Sequence, residues 1–337
     1  MSVRAALERA ARREPVPSAM LEAAFGEIMD GKGTPAAIAG LLVALRTKGE
    51  TVDEIVAAAR ALRARAETAP LTDPRAVDTC GTGGDGAGTF NVSTAAAFVV
   101  AGAGVPVAKH GNRAASSRAG SFDVLEALGV CADLPIPRAA AILDEVGIAF
   151  FYARRAHPAM RHVAAVREEL GIRTLMNCVG PLVNPLGVRR QLVGVYAREL
   201  VEPLARALAA LGAESALVVH GDDGLDEITT TAPTHAARLA DGRIEALVIE
   251  PLALGIARAR PEDLQGGDAG TNARILRGVL GGEAGPRRDV VLLNAGAALW
   301  VAHAASHRAG GLELARRSVD TGAALARLEA LQAASQA

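Results

Sequence analysis

The first stretch of the chain repeats apolar residues at helical spacing. "AMLEAAFGEIM" (19–29), "AAIAGLLVALRTK" (36–48) and "IVAAARALRARA" (55–66) each place Leu, Ile, Val or Ala three and four positions apart. Ser18 reads as a cap for the first and Gly31 as its stop. Thr34 followed by Pro35 is a cap with a first-turn proline for the second. "TVDE", Thr51 to Glu54, is a capping-box pattern before the third. No period-two pattern intervenes, so residues 1–68 are expected to form a small all-helical domain, with helices around 170–190 joining it. Its Ala/Leu-rich faces fit packing against another subunit and ordinary internal packing equally well.

"APLTDPRA" (69–76), with two prolines, reads as a linker. The texture then changes to short apolar runs alternating with helical ones. "AVDTC" (76–80), "VPVAKHG" (105–111), "IAFFYA" (148–153) and "ALVVH" (216–220) read as strands, and "NVSTAAAFVVAGAG" (91–104) and "FDVLEALG" (122–129) as helices. "HAARLADGRIEALVIE" (235–250) reads as a hairpin turning at Asp241-Gly242, an antiparallel addition. The expected fold class is α/β. The small helical N-terminal domain precedes a larger α/β domain over 74–335, whose mostly parallel central sheet is flanked by helices.

Composition narrows the function. The 337 residues are 50% hydrophobic but only 3% aromatic, so the core is built from Ala, Val, Leu and Ile. The 36 basic and 37 acidic residues leave a net charge of −1, which with so few aromatics argues against nucleic acid as a partner. Three scattered cysteines form neither a disulfide framework nor a zinc spacing, and fit a reducing compartment. "MSVRAALERAARRE" has no apolar leader. The most apolar run, "STAAAFVVAGAGVPVA", is 16 residues of mostly small side chains, short of the about 20 a membrane span needs. A soluble, cytoplasmic protein is expected. Only three of the 36 basic residues are lysine, Lys32, Lys48 and Lys109. In so arginine-rich a chain, a retained lysine points to a position that arginine does not fit.

The chemistry starts at "DTCGTGGDGAGTFNVST" (78–94), where five of the eight residues from Gly81 to Gly88 are glycine. A glycine loop between a strand and a helix gathers backbone N–H donors and a helix N-terminus around an anion. Residues 81–86 also satisfy G-x-G-x-x-G, which raises a nicotinamide-dependent oxidoreductase. That reading wants an acidic residue at the next strand end to meet ribose hydroxyls. "VPVAKHGNR" instead offers Lys109, His110 and Arg113, which suit more phosphate. Asp85 inside the loop would repel a bare pyrophosphate and makes sense with Mg²⁺ or a hydroxyl between them. "HGDDGLDE" (220–227) follows another strand. Taken alone it is a solvated acidic turn. Beside phosphate loops, Asp226 and Glu227 become hard oxygen ligands for Mg²⁺.

Together, "GTGGDG", "TFNVST", "KHGNRAASSRAGSFDVLEALG", "VREELGIRT" with "GPLVNP", and "DGLDEI" resemble the anthranilate phosphoribosyltransferase family in order and spacing, from "RTKGET" near 46 to "NAGAALWVA" near 300. The resemblance implies a fold like that of pyrimidine nucleoside phosphorylases and a homodimer formed through the helical domain. It implies transfer of the phosphoribosyl group of 5-phosphoribosyl 1-diphosphate to anthranilate, giving N-(5-phosphoribosyl)anthranilate and diphosphate in tryptophan biosynthesis. By the same resemblance Gly81, Gly84, Asp85, Thr89, Asn91, Val92, Ser93 and Thr94 would line the phosphoribosyl diphosphate. So would Lys109, His110, Gly111, Asn112, Arg113, Ala114, Ala115, Ser116, Ser117 and Ser121. Ser93, Asp226 and Glu227 would hold Mg²⁺, two ions being expected. Gly81, Asn112 and Arg167 would meet anthranilate, and a guanidinium fork suits its carboxylate.

No Ser-His-Asp triad or catalytic carboxylate pair is expected, because loss of diphosphate from a ribose C1 needs stabilisation of the leaving group more than activation of the amine. Arg154, Ala156 and Phe122 depart from the family's pattern and are expected near the aromatic substrate's approach. A nucleoside phosphorylase-like enzyme and a non-catalytic relative that binds phosphoribosyl diphosphate are the alternatives.

Overall fold

The computed structural model describes residues 2–114 and 118–337. Four helices open the chain: α1 (Ser2–Ala11), α2 (Ser18–Met29), α3 (Pro35–Lys48) and α4 (Val52–Arg63). The Thr51 box forms in full. Thr51 Oγ1 accepts from Glu54 N at 3.3 Å, and Thr51 N donates to Glu54 Oε2 at 2.9 Å. Thr34 likewise accepts from Ala37 N at 3.3 Å. Ser18 is not a cap: it is the first residue of α2, and Pro17 before it makes no side-chain capping bond. Gly31 (φ +74°) turns the chain out of that helix.

The rest alternates: β1 (Val77–Gly81), α5 (Val92–Gly102), β2 (Val107–Gly111), α6 (Ser121–Ala127), α7 (Ile136–Val146), β3 (Ile148–Tyr152), α8 (Ala153–Ala156), α9 (Arg161–Leu170), β4 (Arg190–Gly194), α10 (Val201–Ala210) and β5 (Ser215–Gly221). The hairpin β6 (Thr234–Ala240) and β7 (Arg243–Ile249) follows, then α11 (Ala269–Leu280), α12 (Pro286–Val301), α13 (Arg308–Asp320) and α14 (Ala323–Gln336). The seven strands make one sheet in the order β3-β2-β1-β4-β5-β6-β7. The first five are parallel, and β6 and β7 run antiparallel. Asp241 (φ +50°) and Gly242 (φ +71°) are both left-handed, as a tight hairpin turn of the primed type requires.

Successive strand residues face opposite layers. Leu192, Leu217 and Val219 join the apolar cluster built with α5, α7 and α11–α14. Val193, Ala216 and Val218 join a second cluster with α10, α9 and the four N-terminal helices. The sheet is thus covered on both faces, which is why its strands read as near-continuous apolar runs. The helical segment docks on the sheet through this second cluster, with the stretch around Leu175–Val183 between them.

Candidate functional site

The strand order fixes where a ligand can enter. From β1 the chain winds outward to β2 and β3, then returns to place β4 on the other side of β1. In such sheets the crevice lies at the carboxyl ends of the strands flanking that reversal. Here those ends are Gly81 and Gly194, paired in register. The acidic turn after β5 lies directly over them. A Cβ on Gly194 would collide with the backbone oxygen of Asp226, and one on Gly81 would come within 2.9 Å of Asp226 Oδ2. Gly194 is therefore required by close approach to backbone, whereas at Gly81 the contact is with the end of the Asp226 side chain.

Further along the loop the reason for glycine is conformational. Gly83 and Gly86 have φ of +65° and +74°, with open space where a side chain would be. Thr89 closes the loop through a bridge to Gln265. Asn91, at the N-cap of α5, bridges two other segments. Its amide donates to Ala119 O at 3.1 Å, and its oxygen accepts from Asn272 at 2.9 Å. Val92 and Thr94 point into the core.

Lys109 is 2% exposed, and its Nζ donates to the carbonyl of Thr79 and to Ser93 Oγ at 3.2 Å. It lies beneath the first turn of α5 rather than in the open crevice, a different placement from a lysine reaching directly for phosphate. Above it the acids occupy anion donors. Asp226 Oδ2 accepts from Gly83 N at 2.8 Å, and Glu227 Oε1 accepts from Ser93 N at 3.2 Å, at the start of α5. Both carboxylates keep some accessible surface, yet protein encloses them closely. Burial first, then the charge of Asp85 on Asp226 and that of Asp226 on Glu227, pushes both well above the ordinary carboxylate range, while Lys109 pulls the other way. Three acids against one buried ammonium leave a negative excess that a cation would relieve. Among the described residues no group of three or more His, Cys, Asp or Glu is arranged to hold a metal alone. The two carboxylates are hard oxygen donors of the kind that suit Mg²⁺, which keeps waters and takes one or two carboxylates together with substrate phosphates.

The acidic turn is itself held from below. Asn294, buried on α12, accepts from Ile228 N at 3.0 Å and donates to Ile228 O at 2.8 Å, clamping the peptide next to Glu227. Asp223 gathers the hydroxyls of Thr229 and Thr231. Sequence reasoning did not find Asn294, Asp223, Gly194 or Arg173, which donates to the carbonyl of Gly84. A lone Asn in the apolar run "VVLLNAGAALWV" was the one signal available.

Around the second strand end the picture changes from that expected. His110 is buried between His157, 5.2 Å away edge to face, and Gly180 O, at 3.2 Å from its Nδ1. Burial holds its pKa down to about 3 and that of His157 to about 4. Arg113 is not a free cation: it pairs with Asp123 at 3.1 Å and with Glu126. Asp123 also accepts from Ala114 N and Gly120 N, at 3.0 and 2.8 Å. Ser121 Oγ donates to Asn112 O at 3.1 Å, and a Cβ on Gly111 would meet that hydroxyl. Phe122 is fully buried and stacked on Tyr152 at 4.6 Å, so it lies behind the strand end instead of open to a substrate. Arg154 and Ala156 lie on the short α8.

Ala115, Ser116 and Ser117 lie outside the described residues. Arg167, in the last turn of α9, is half-buried with no side-chain partner among the described residues, and burial lowers its pKa. Trp300 lies at the rim of the core, with the Arg238 guanidinium 4.4 Å above its ring.

An α/β sheet with a glycine loop at its switch point, backed by a helical segment, is the two-part build of a glycosyl transferase family whose models match this chain. The model of the glycosyl transferase family a/b domain matches residues 73–325, and that of its helical bundle domain matches residues 4–66. An anthranilate phosphoribosyltransferase of Rubrobacter xylanophilus is 56% identical over 329 residues, 97% of this chain and 96% of the relative. The crystal structure of the Thermus thermophilus anthranilate phosphoribosyltransferase superposes with a TM-score of 0.94 at 43% identity, covering 98% of this chain and 99% of that one. The Saccharomyces cerevisiae enzyme, solved in complex with phosphoribosyl diphosphate and Mg, superposes at 0.88 with 27% identity, covering 99% and 98%. The chain belongs to the anthranilate phosphoribosyltransferase family.

Proposed function

We infer that this enzyme transfers the phosphoribosyl group of 5-phosphoribosyl 1-diphosphate to the amine of anthranilate, releasing diphosphate, in tryptophan biosynthesis. The observation that carries the reading is the convergence at one switch point of the glycine loop, the first turn of α5 and the Asp226–Glu227 pair. On this reading Gly81, Gly84, Asp85, Thr89, Asn91 to Thr94, Lys109 to Ser117 and Ser121 supply the donor side, and Gly81, Asn112 and Arg167 the acceptor side. Ser93, Asp226 and Glu227 would hold Mg²⁺ beside the substrate's phosphates, two ions being expected. Bound there, Mg²⁺ would neutralise charge growing on the leaving diphosphate.

The protein's own groups do the rest. Loop N–H groups and the α5 N-terminus stabilise the departing anion. The half-buried, unpaired Arg167 suits a carboxylate in two bonds. The anthranilate amine is neutral and needs only positioning over C1. A cytoplasmic homodimer formed through the helical segment belongs to the same reading; among the described residues no helix is long and apolar enough to cross a membrane.

The test mixes the pure protein with Mg²⁺, phosphoribosyl diphosphate and anthranilate and follows anthranilate fluorescence. Loss that requires all three supports the transferase. No loss while phosphoribosyl diphosphate still binds by calorimetry would mean a different acceptor. Sedimentation of the same sample reads the oligomeric state.

A further inference from the structure

The glycine loop is fastened along both limbs. On the strand side Thr82 N donates to Gly194 O at 2.9 Å, and Thr82 Oγ1 accepts from Tyr196 N at 3.0 Å. On the helix side Gln265 Nε2 donates to Ala87 O at 3.1 Å, and Gly266 N donates to Gly88 O at 3.0 Å. Between the limbs, Asp226 takes the Gly83 N–H, and the tip at Gly84 is reached by Arg173. The Arg173 guanidinium donates to the Gly84 carbonyl and lies 4.2 Å above the Tyr196 ring.

Gly84 has φ +79°, a conformation glycine enters and leaves easily, so its peptide has little orientation of its own. In a trans peptide the C=O and the following N–H point in opposite directions. The Arg173 bond therefore turns the Asp85 N–H to the side of the loop away from Arg173. Tyr196 restrains the donor: the guanidinium lies 4.2 Å over its ring, and the same Tyr196 is tied to Thr82 in the loop's own strand-side limb. Arg173 also lies six residues beyond Arg167, past the left-handed Gly171 that ends α9. One short segment thus carries both the unpaired acceptor-side guanidinium and the one that grips the donor-side loop.

We propose that Arg173 is a positioning residue for the diphosphate. It holds the Gly84–Asp85 peptide so that its N–H is offered to the anion, and Tyr196 holds Arg173. This rests on the reading that the glycine loop receives phosphoribosyl diphosphate.

The test compares wild-type protein with Arg173→Ala, Arg173→Lys and Tyr196→Leu. Calorimetry gives the affinity for phosphoribosyl diphosphate with Mg²⁺, steady-state assays give both KM values, and a thermal scan gives Tm. Loss of one charge-assisted hydrogen bond predicts roughly tenfold weaker phosphoribosyl diphosphate binding in Arg173→Ala. The anthranilate KM at saturating donor stays at the wild-type level, and Tm is unchanged. Arg173→Lys, which keeps a charged donor but not the guanidinium's reach and fork, recovers part of the affinity, and Tyr196→Leu loses part of it. Wild-type donor affinity in Arg173→Ala overturns the proposal. So does an equal loss on both substrates with a lowered Tm, the mark of a merely structural tether. Wild-type protein that does not bind phosphoribosyl diphosphate would instead overturn the underlying reading of the loop.

Discussion

A buried ammonium costs several kcal/mol unless it is well paired, and among the described residues Lys109 hydrogen-bonds only to a carbonyl and a hydroxyl, with the buried Asp78 carboxyl acting on it through charge. What compensates it is the acid cluster above. It acts at one remove, setting the field in which Asp226, Glu227 and any phosphate reside. Lys109→Ala is expected to lower kcat by about 100-fold, the scale on which losing a fixed electrostatic group slows a reaction, acting through the field at the two acids, while circular dichroism stays native. Wild-type turnover in that variant would show that the ammonium only fills space.

The acids make a second prediction, in which the sign matters. Their folded pKa values are raised, so their contribution to stability is full below the unfolded value and is lost as pH rises through the folded one. His110 and His157 are depressed, so their contribution is present above the ordinary histidine value and is lost as pH falls. Between about pH 7.5 and 8 the histidines are close to neutral in both states, and the acids dominate. The ligand-free protein should lose Tm across that window, with a slope of at most about 1.4 kcal/mol per pH unit for each proton. Asp226→Asn with Glu227→Gln should flatten the slope and raise the Mg²⁺ concentration needed for activity. A flat wild-type profile would mean the pair is well solvated.

Among the elements, the N-terminal helices contain an ion pair of another kind. Lys48 Nζ meets Glu54 Oε2 at 2.9 Å with side chains 6% and 0% exposed. Glu54 also accepts from Val16 N at 2.9 Å and Thr51 N at 2.9 Å, so one carboxylate joins α3, the α4 cap and the turn after α1. Removing one partner of a buried pair strands the other, so Lys48→Met should cost about 3 kcal/mol or more in urea unfolding. Glu8→Ala, which breaks the exposed pair with Arg12, should cost less than about 0.5 kcal/mol. Comparable losses would mean that Glu54 reaches water.

Much of this level is legible in the sequence. The Thr34 and Thr51 caps and the Asp241-Gly242 turn are local devices, and all three form. Local chemistry also misleads: Ser18 has the right side chain, but Pro17 before it takes the cap position. β4, "RQLVG", gives no separate signal because a five-residue strand buried on both faces has no alternation. In the site, the glycines and acids announce themselves by type. Asn294, Gly194 and Arg173 act through tertiary contacts, and spacing along the chain carries no trace of those. Arg113 shows the converse: a cation by type, it is neutralised by two acids on the next helix.

For the whole molecule, one reversal of strand order gathers residues from 81 to 294 around a single crevice, while the helices below the sheet bring α9 to its edge. The scarcity of lysine acquires a practical meaning once each is located. Lys109 is sealed under α5 and Lys48 is locked to Glu54, while Lys32 is 69% exposed at the end of α2. The folded surface therefore presents one side-chain amine for acylation. A neutral-pH active ester should modify Lys32 and spare the other two, and peptide mapping by mass spectrometry reads this directly. Dye or resin attached there would hold every molecule in the same orientation with the crevice untouched. Label on Lys109 at a comparable rate would mean that the floor of the crevice opens in solution.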